Sequence, residues 1–299
     1  MTPVKRKPRL RLLLVAALLM AAALIAKAWH DTTRDPIIRT MTAQVPVVAG
    51  PDTPRRIVLL SDLHVAGPDM PPGRLARIVR QVNALRPDLV VFAGDFVSDK
   101  RTATRLYTTR ESIAPLAGLD PRILALAVPG NHDHWRSIGA LERELRRVGI
   151  VNLRNRTVNV RGLLIAGLDD NYTDHDDLPR IIGQMEATGR GGIVLAHSPD
   201  HFPNLPQESG LMLAGHTHCG QIGWPWGGAP FFNVLDRRYG CGIVRENGNT
   251  LVVSAGLGTS MLPLRLFTQP ELWVIEVSAL DTRTAAGPKP GGRTMSLPD

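Results

Sequence analysis

Ile57-Val58-Leu59-Leu60-Ser61-Asp62-Leu63-His64 is a short apolar, β-branched run that ends on two residues able to bind a metal. The same form recurs at Leu89–Ala93 before Gly94-Asp95, at Ile123–Val128 before Gly130-Asn131-His132-Asp133, at Ile193 onward before Ala196-His197, and at Leu211–Ala214 before Gly215-His216-Thr217-His218. Each run reads as a buried strand, and helical spacing separates the earlier ones: Leu75, Ile78, Val79, Val82 and Leu85, stopped by Arg86-Pro87, and later Leu141, Leu145 and Val148, ended at Gly149. Strand and helix therefore alternate, which calls for a largely parallel sheet. In such a sheet the residue after each strand comes to the carboxyl edge, where open α/β folds place their ligands.

The second half is richer in strands, with runs at Thr157–Val160, Leu163–Gly167, Gly242–Arg245, Thr250–Ser254 and Leu272–Val277. Asn247-Gly248 between two of them signals a hairpin. The expected fold is α/β, a four-layer α/β/β/α sandwich of two mixed sheets flanked by helices. A polar helix is expected around Thr104–Leu116. Residues 30–56 carry Pro36, Pro46, Pro51 and Pro54 without a sustained period and read as a linker with one short strand at Gln44–Val48. The body is expected over residues 57–280, and the Gly- and Pro-containing tail, 281–299, is expected to be disordered.

The formal charge of +8 on 299 residues first suggests an anionic partner. Six of the 35 basic residues, Lys5, Arg6, Lys7, Arg9, Arg11 and Lys27, lie in residues 1–29 with no acid, leaving 29 against 27 acids in the rest. The body is nearly neutral and lacks a basic stripe interleaved with aromatics, which argues against a nucleic acid partner. The basic residues precede an unbroken apolar run, Leu12–Ala26, so residues 1–29 have the form of a signal-anchor or a signal peptide. At about 1.5 Å per residue the run is somewhat short for a bilayer core of roughly 30 Å, though flanking Lys and Arg can snorkel. Retained, it makes a single-pass membrane protein with its body on the extracytoplasmic side. Cleaved at Ala26-Lys27-Ala28, it releases a secreted or periplasmic protein. The two cysteines, Cys219 and Cys241, either form one bridge in an oxidising compartment or remain separate thiols.

One Gly-Asp pair or one buried histidine is weak evidence of a site. Here five of nine histidines fall in the strand-end segments, together with Asp62, Asp95 and Asn131. Carboxylate and imidazole donors in that number suit two adjacent divalent cations with one bridging carboxylate.

The blocks Asp62-x-His64, Gly94-Asp95, Gly130-Asn131-His132-Asp133, His197 and Gly215-His216-x-His218, in that order, resemble those of the calcineurin-like metallophosphoesterases. The wording is most similar to the bacterial branch with an N-terminal signal or anchor, at Ser61–His64, His197–Asp200, Gly215–Gln221 and Gly256–Ser260. The resemblance implies that Asp62, His64 and His218 hold one cation, that Asn131, His197 and His216 hold the other, and that Asp95 bridges. Some family members use only part of the first set, and for His64 a hydrogen-bonding role behind the ligands is the alternative. The resemblance also implies that His132 is no ligand but meets the substrate, stabilising phosphoryl oxygens or protonating the leaving oxygen. Asp133 orients His132 or caps the following helix.

The implied activity is hydrolysis of a phosphoester, by a phosphodiesterase or a phosphatase. A lipid-linked phosphate or pyrophosphate is among the candidate substrates. Manganese, iron or zinc all suit the donors, with manganese favoured. The alternatives are a catalytically silent binding scaffold on the same fold and a nuclease. Arg265 could hold a substrate phosphate or be a solvated loop residue, and His175 in the acidic loop is a lid candidate. His134 and His201 read as cleft-lining or surface residues. Trp224, Trp226, Phe231 and Phe232 could wall the site, dip toward a bilayer, or simply pack.

Overall fold

The structure, a computed structural model, describes residues 8–46, 53–188 and 191–279. Helix α1 (Pro8–Thr33) leads into strand β1 (Ile37–Val45), followed by β2 (Arg56–Leu60), β3 (Ala66–Gly67), α2 (Pro72–Ala84), β4 (Leu89–Ala93), β5 (Arg105–Leu106), α3 (Thr109–Ile113), β6 (Leu124–Val128) and α4 (Asn131–Arg147). The second half contains β7 (Val151–Asn152), β8 (Arg156–Val160), β9 (Leu163–Gly167), α5 (Leu178–Ala187), β10 (Gly192–Leu195), β11 (Gly210–Ala214), β12 (Gly242–Glu246), β13 (Asn249–Val253) and β14 (Glu271–Ala279).

Twelve of these strands form two six-stranded mixed sheets, ordered β1-β14-β2-β4-β6-β7 and β12-β13-β11-β10-β9-β8, while β3 and β5 pair with each other. In the first, β2, β4 and β6 run parallel; in the second, β9, β10, β11 and β13 do. Side chains along a strand alternate between faces, and this alternation builds the layers. Ile57, Leu59, Leu89 and Val91 meet Ile165, Ile193, Leu195 and Leu213 between the sheets. Val58, Leu60, Val90 and Phe92 point the other way, into a core shared with Leu75, Ile78 and Val82 of α2 and Leu141 and Leu145 of α4. Leu164, Ala166 and Val194 do the same on the far side, against Ile181 and Met185 of α5. The expected four-layer sandwich is the observed one. The Asn247-Gly248 hairpin joins β12 to β13, with both turn residues at positive φ (51° and 73°) as a primed turn requires.

Three segments differ from expectation. Within 30–56 the strand begins earlier and is longer: β1 pairs in parallel with β14 as an edge strand, burying only Ala43 and Val45, so it carries little apolar periodicity to read. The Val47-Val48 end of the expected strand lies outside the described residues, as does the tail 281–299. The helix expected around Thr104–Leu116 shortens to α3, because a capping box at Thr108 and Glu111 starts it late and a 3-10 turn, Ala114–Gly118, containing Pro115 ends it.

Helix α1 is long and apolar enough to cross a bilayer over Leu10–Thr33, longer than the uninterrupted apolar run because it continues through Lys27 into Thr33. Its first part is exposed, and its last turn is docked on the body, with Ala28, Asp31 and Thr32 buried. Thr32 Oγ1 accepts from the Arg265 backbone N–H at 2.6 Å and the Asp31 carboxylate accepts from that of Phe267.

Candidate metal centre

The carboxyl ends of β2, β4, β6, β10 and β11 bring Asp62, Asp95, Asn131, His197 and His216 to one rim shared by both sheets. Backbone hydrogen bonds knit the strand ends, from Asp62 to Gly94, from His64 to Asp95 and from Gly215 to His197. The His216 N–H donates to the Asp62 carboxylate at 3.0 Å and so ties one sheet to the other. Asp62, His64, Asp95, His216 and His218 all adopt positive φ. Each such residue costs on the order of 1–3 kcal/mol, a strain that surrounding structure maintains and that concentrates at functional sites. At Gly130 a side chain is excluded, because a Cβ would strike the Asp95 carboxylate and the His197 ring.

All seven residues expected to be ligands are buried, and their donor atoms converge. Asp95 Oδ2 lies 3.3 Å from His64 Nε2 and 3.2 Å from His197 Nε2. On one side His218 Nε2 stands 3.1 Å from His64 Nε2 and 3.6 Å from Asp62 Oδ1. On the other, His197 Nε2 stands 3.1 Å from both Asn131 Oδ1 and His216 Nδ1. His132 is set back, with Nε2 4.0 Å from Asp95 Oδ2 and its ring partly open to solvent.

A neutral imidazole has one N–H to offer, so ring nitrogens facing each other and a carboxylate at these distances are richer in lone pairs than in protons. The protonation equilibria agree. Burial pushes His216 down to about 3 and holds His64 and His218 well below the usual histidine range, leaving neutral rings. Burial also pushes Asp62 up to about 6. Asp95 behaves oppositely: burial disfavours its charge, but His197, His132 and His64 outweigh that and keep it ionised. Its negative charge in turn overcomes burial at His197 and raises that imidazole well above the usual range. Clustered oxygen and imidazole donors of this kind fit divalent metal ions.

Groups behind the donors fix their orientation. His197 Nδ1 donates to the Ala93 carbonyl at 2.8 Å, turning Nε2 to the site. His216 Nε2 is hydrogen-bonded to the Asn233 side chain at 2.8 Å. Asn233 lies in the loop closed by a Cys219–Cys241 disulfide, so of the two readings of the cysteines the bridge is the observed one.

Two sequence expectations need correction. Asp133 does not face His132: its carboxylate accepts from the backbone N–H groups of Gly130, Phe96 and Val97 and so caps α4. The partner of His132 is Asp99, whose Oδ1 lies 2.5 Å from Nδ1. Arg265 neither reaches a substrate nor meets solvent. It is wholly buried, its Nη2 donates to the carbonyls of Ala255 and Gly258, and the same atom stands 3.3 Å from His218 Nδ1.

His134 is paired with Asp169 and stacked on His175, fastening the acidic loop to α4, and His201 pairs with Asp176. Trp135 and Tyr172, which no sequence signal singled out, form an aromatic rim from His132 to His216. A cleft of about 540 Å³ beside the centre is lined by Tyr172, His216, His218, Phe231, Asn233 and Met261. A larger one, about 740 Å³, lies around Arg154, Arg156 and Arg180 and includes none of the clustered donors.

Two stacked mixed sheets thus carry carboxylates and imidazoles that converge on their shared rim as a candidate metal centre. The family model for calcineurin-like phosphoesterase matches residues 55–220, and the chain belongs to that family. It is similar to a transmembrane protein with metallophosphoesterase domain from Danio rerio, at 30% identity over 86% of this chain and 61% of the relative. It also resembles the uncharacterized metallophosphoesterase YkuE of Bacillus subtilis, at 28% identity over 75% of this chain and 79% of the relative. The phosphodiesterase YaeI of Escherichia coli is 29% identical over 75% of this chain and 82% of its own. The chain spans about three fifths of the length of some curated relatives it matches.

Proposed function

We propose that the protein hydrolyses phosphoesters with two divalent cations, manganese favoured, while held in the membrane by α1 with its body outside the cytoplasm. The observation that carries this reading is the buried cluster around Asp95: Asp62, His64, His197 and His218 crowd about it, Asn131 and His216 adjoin at His197, and His132 closes the group on its solvent side. Asp62, His64 and His218 would hold one ion and Asn131, His197 and His216 the other, with Asp95 between. When bound, the ions neutralise phosphoryl charge and make water acidic enough to attack near neutral pH.

The chain's own groups do the rest. His132 turns Nε2 toward the centre while Asp99 holds Nδ1, so a proton on the ring is aimed where a phosphoryl or leaving oxygen sits. Water attacks phosphorus opposite the leaving group and gives up a proton to solvent as the P–O bond to that group breaks, while His132, protonated on both ring nitrogens, passes its Nε2 proton to the departing oxygen. Trp135 packs edge-on against His132, and Tyr172 bridges from Trp135 to His216, so both rings border that position.

The disulfide supports an oxidising, extracytoplasmic setting. The basic flank before α1 supports the same orientation, and the buried Ala28 and the Lys27–Asp31 pair support a retained helix over cleavage at Ala26-Lys27-Ala28. The printed name of the Escherichia coli relative supports a phosphodiester, and membrane tethering supports a lipid-linked phosphate or pyrophosphate as substrate. The test is turnover of a chromogenic phosphodiester, a phosphomonoester and a detergent-solubilised lipid phosphate by the full chain loaded with manganese. Cleavage of at least one is expected; cleavage of none rejects the reading.

A further inference from the structure

Seven of the apolar side chains left exposed outside α1 sit on two neighbouring loops, and all but Leu235, whose backbone N–H is tied to Asp200, make up one face. Trp224, Trp226 and Phe231 lie in the loop closed by the disulfide; Met261, Leu262 and Phe267 lie between β13 and β14. Trp226, Phe231 and Met261 are 79%, 81% and 78% exposed. Trp224 and Trp226 stack in parallel at 5.4 Å, presenting a flat indole pair. Aromatic surface of this size clustered in water marks a face that meets something.

Hydrogen bonds make the two loops one surface. The Gly223 N–H donates to the Leu266 carbonyl, the Leu266 N–H donates to that of Gln221, and the Gln221 side-chain amide donates to the carbonyls of Leu262 and Leu264. The last turn of α1 joins the same lattice through Thr32 to Arg265 and Asp31 to Phe267, and Lys27 lies 5.0 Å over the Phe267 ring. The candidate membrane span therefore leaves the body at the loop that carries Met261, Leu262 and Phe267. Arg237, over the Phe232 ring, and Lys27 place cations beside this apolar face, a pairing suited to lipid headgroups.

We propose that this face docks on the bilayer that α1 crosses, with Trp224, Trp226, Phe231, Met261, Leu262 and Phe267 seated in the headgroup region. Indole rings favour that depth, where one edge is apolar and the N–H stays wet. Phe231, Met261 and Leu262 also line the cleft at His216 and His218, so docking opens that cleft onto the lipid surface. The inference rests on the membrane reading of α1 and deepens the proposed function by making the substrate one presented at a lipid surface.

The test uses the full chain, disulfide intact, reconstituted in phosphatidylcholine vesicles whose acyl chains are brominated near the headgroup. Bromolipid is expected to quench tryptophan emission, and Trp224→Phe with Trp226→Phe is expected to lose most of the quenching, leaving the share of Trp29 in α1. Equal quenching before and after substitution overturns the docking face but spares the span; no quenching at all overturns both. Tryptophans shielded from aqueous acrylamide yet untouched by bromolipid assign the face to a second copy or another protein, and that also overturns the proposal. Separately, Trp226→Ser is expected to keep the rate on a soluble chromogenic phosphoester while losing rate on a phospholipid in vesicles. None of the quenching outcomes depends on turnover, so failure here is distinct from failure of the catalytic reading.

Discussion

His132 Nδ1 lies 2.5 Å from Asp99 Oδ1, while Nε2 of the same ring faces the buried carboxylate of Asp95. This pairing fixes both the tautomer and the direction of the imidazole. Asp99→Asn leaves every donor of the metal cluster in place, so it is expected to keep bound metal and lose about 10–100-fold in turnover. Metal content and rate on the same preparation check it, and loss of metal would reassign Asp99 to support of the cluster.

Thr32 and Arg265 form a second cross-link, between helix α1 and the loop beneath His218. Both residues are buried, so Thr32→Val strands the Arg265 N–H and is expected to cost about 1–3 kcal/mol of stability. Thr32→Ser retains the hydroxyl and is expected to restore most of it. Thermal unfolding of the solubilised protein measures both; a neutral Thr32→Val would show that the docked turn is dispensable.

The Cys219–Cys241 bridge closes a loop that carries Asn233 against His216. Replacing both cysteines by alanine is expected to cost about 2–4 kcal/mol, from the loop entropy released to the unfolded chain. Denaturant unfolding under non-reducing conditions gives the value. An unchanged midpoint would mean that the loop is held by its other contacts alone.

Asp169 supplies a pH dependence away from the metal cluster. Burial alone would raise its carboxyl, but hydrogen bonds from His134 and Arg154 outweigh burial and hold it below the usual carboxylate range. Its folded value is therefore lower than its unfolded value of about 3.9, so the stabilisation is complete above that pH and is lost as pH falls through the folded value. The stability difference between the natural protein and Asp169→Asn is expected to be level near neutral pH and to shrink below about pH 4. A difference that grows on acidification would contradict this sign.

The layers and the seven clustered donors were legible because each rests on a local string: an apolar run of strand length, then a glycine, serine or alanine, then one donor or two donors a residue apart. Alternation along those strands sufficed to place helices outside two sheets. Asp99 was missed because what pairs it with His132 is the path of the chain after Asp95, and four residues of separation in a loop leave no periodic mark. Of the two roles open to Asp133, the sequence could not choose the cap, because what decides it is that this position is the third residue of a helix, where backbone N–H groups claim its carboxylate. Arg265 carries no sequence sign of burial; the docked end of α1 and the Ala255–Gly258 turn bury it together. Asn233 and the disulfide depend on a loop folding back across more than twenty residues, a contact that composition does not encode.

The central claim is that one carboxylate, Asp95, joins two cation sites in a single cluster. It is tested most directly by counting manganese bound per chain by mass spectrometry in the natural protein, in Asp95→Asn and in His132→Ala. The account predicts two ions in the natural protein, neither retained in Asp95→Asn, and both retained in His132→Ala with turnover reduced about 10²–10⁴-fold. A full complement of ions in Asp95→Asn, or none in the natural protein, would contradict it.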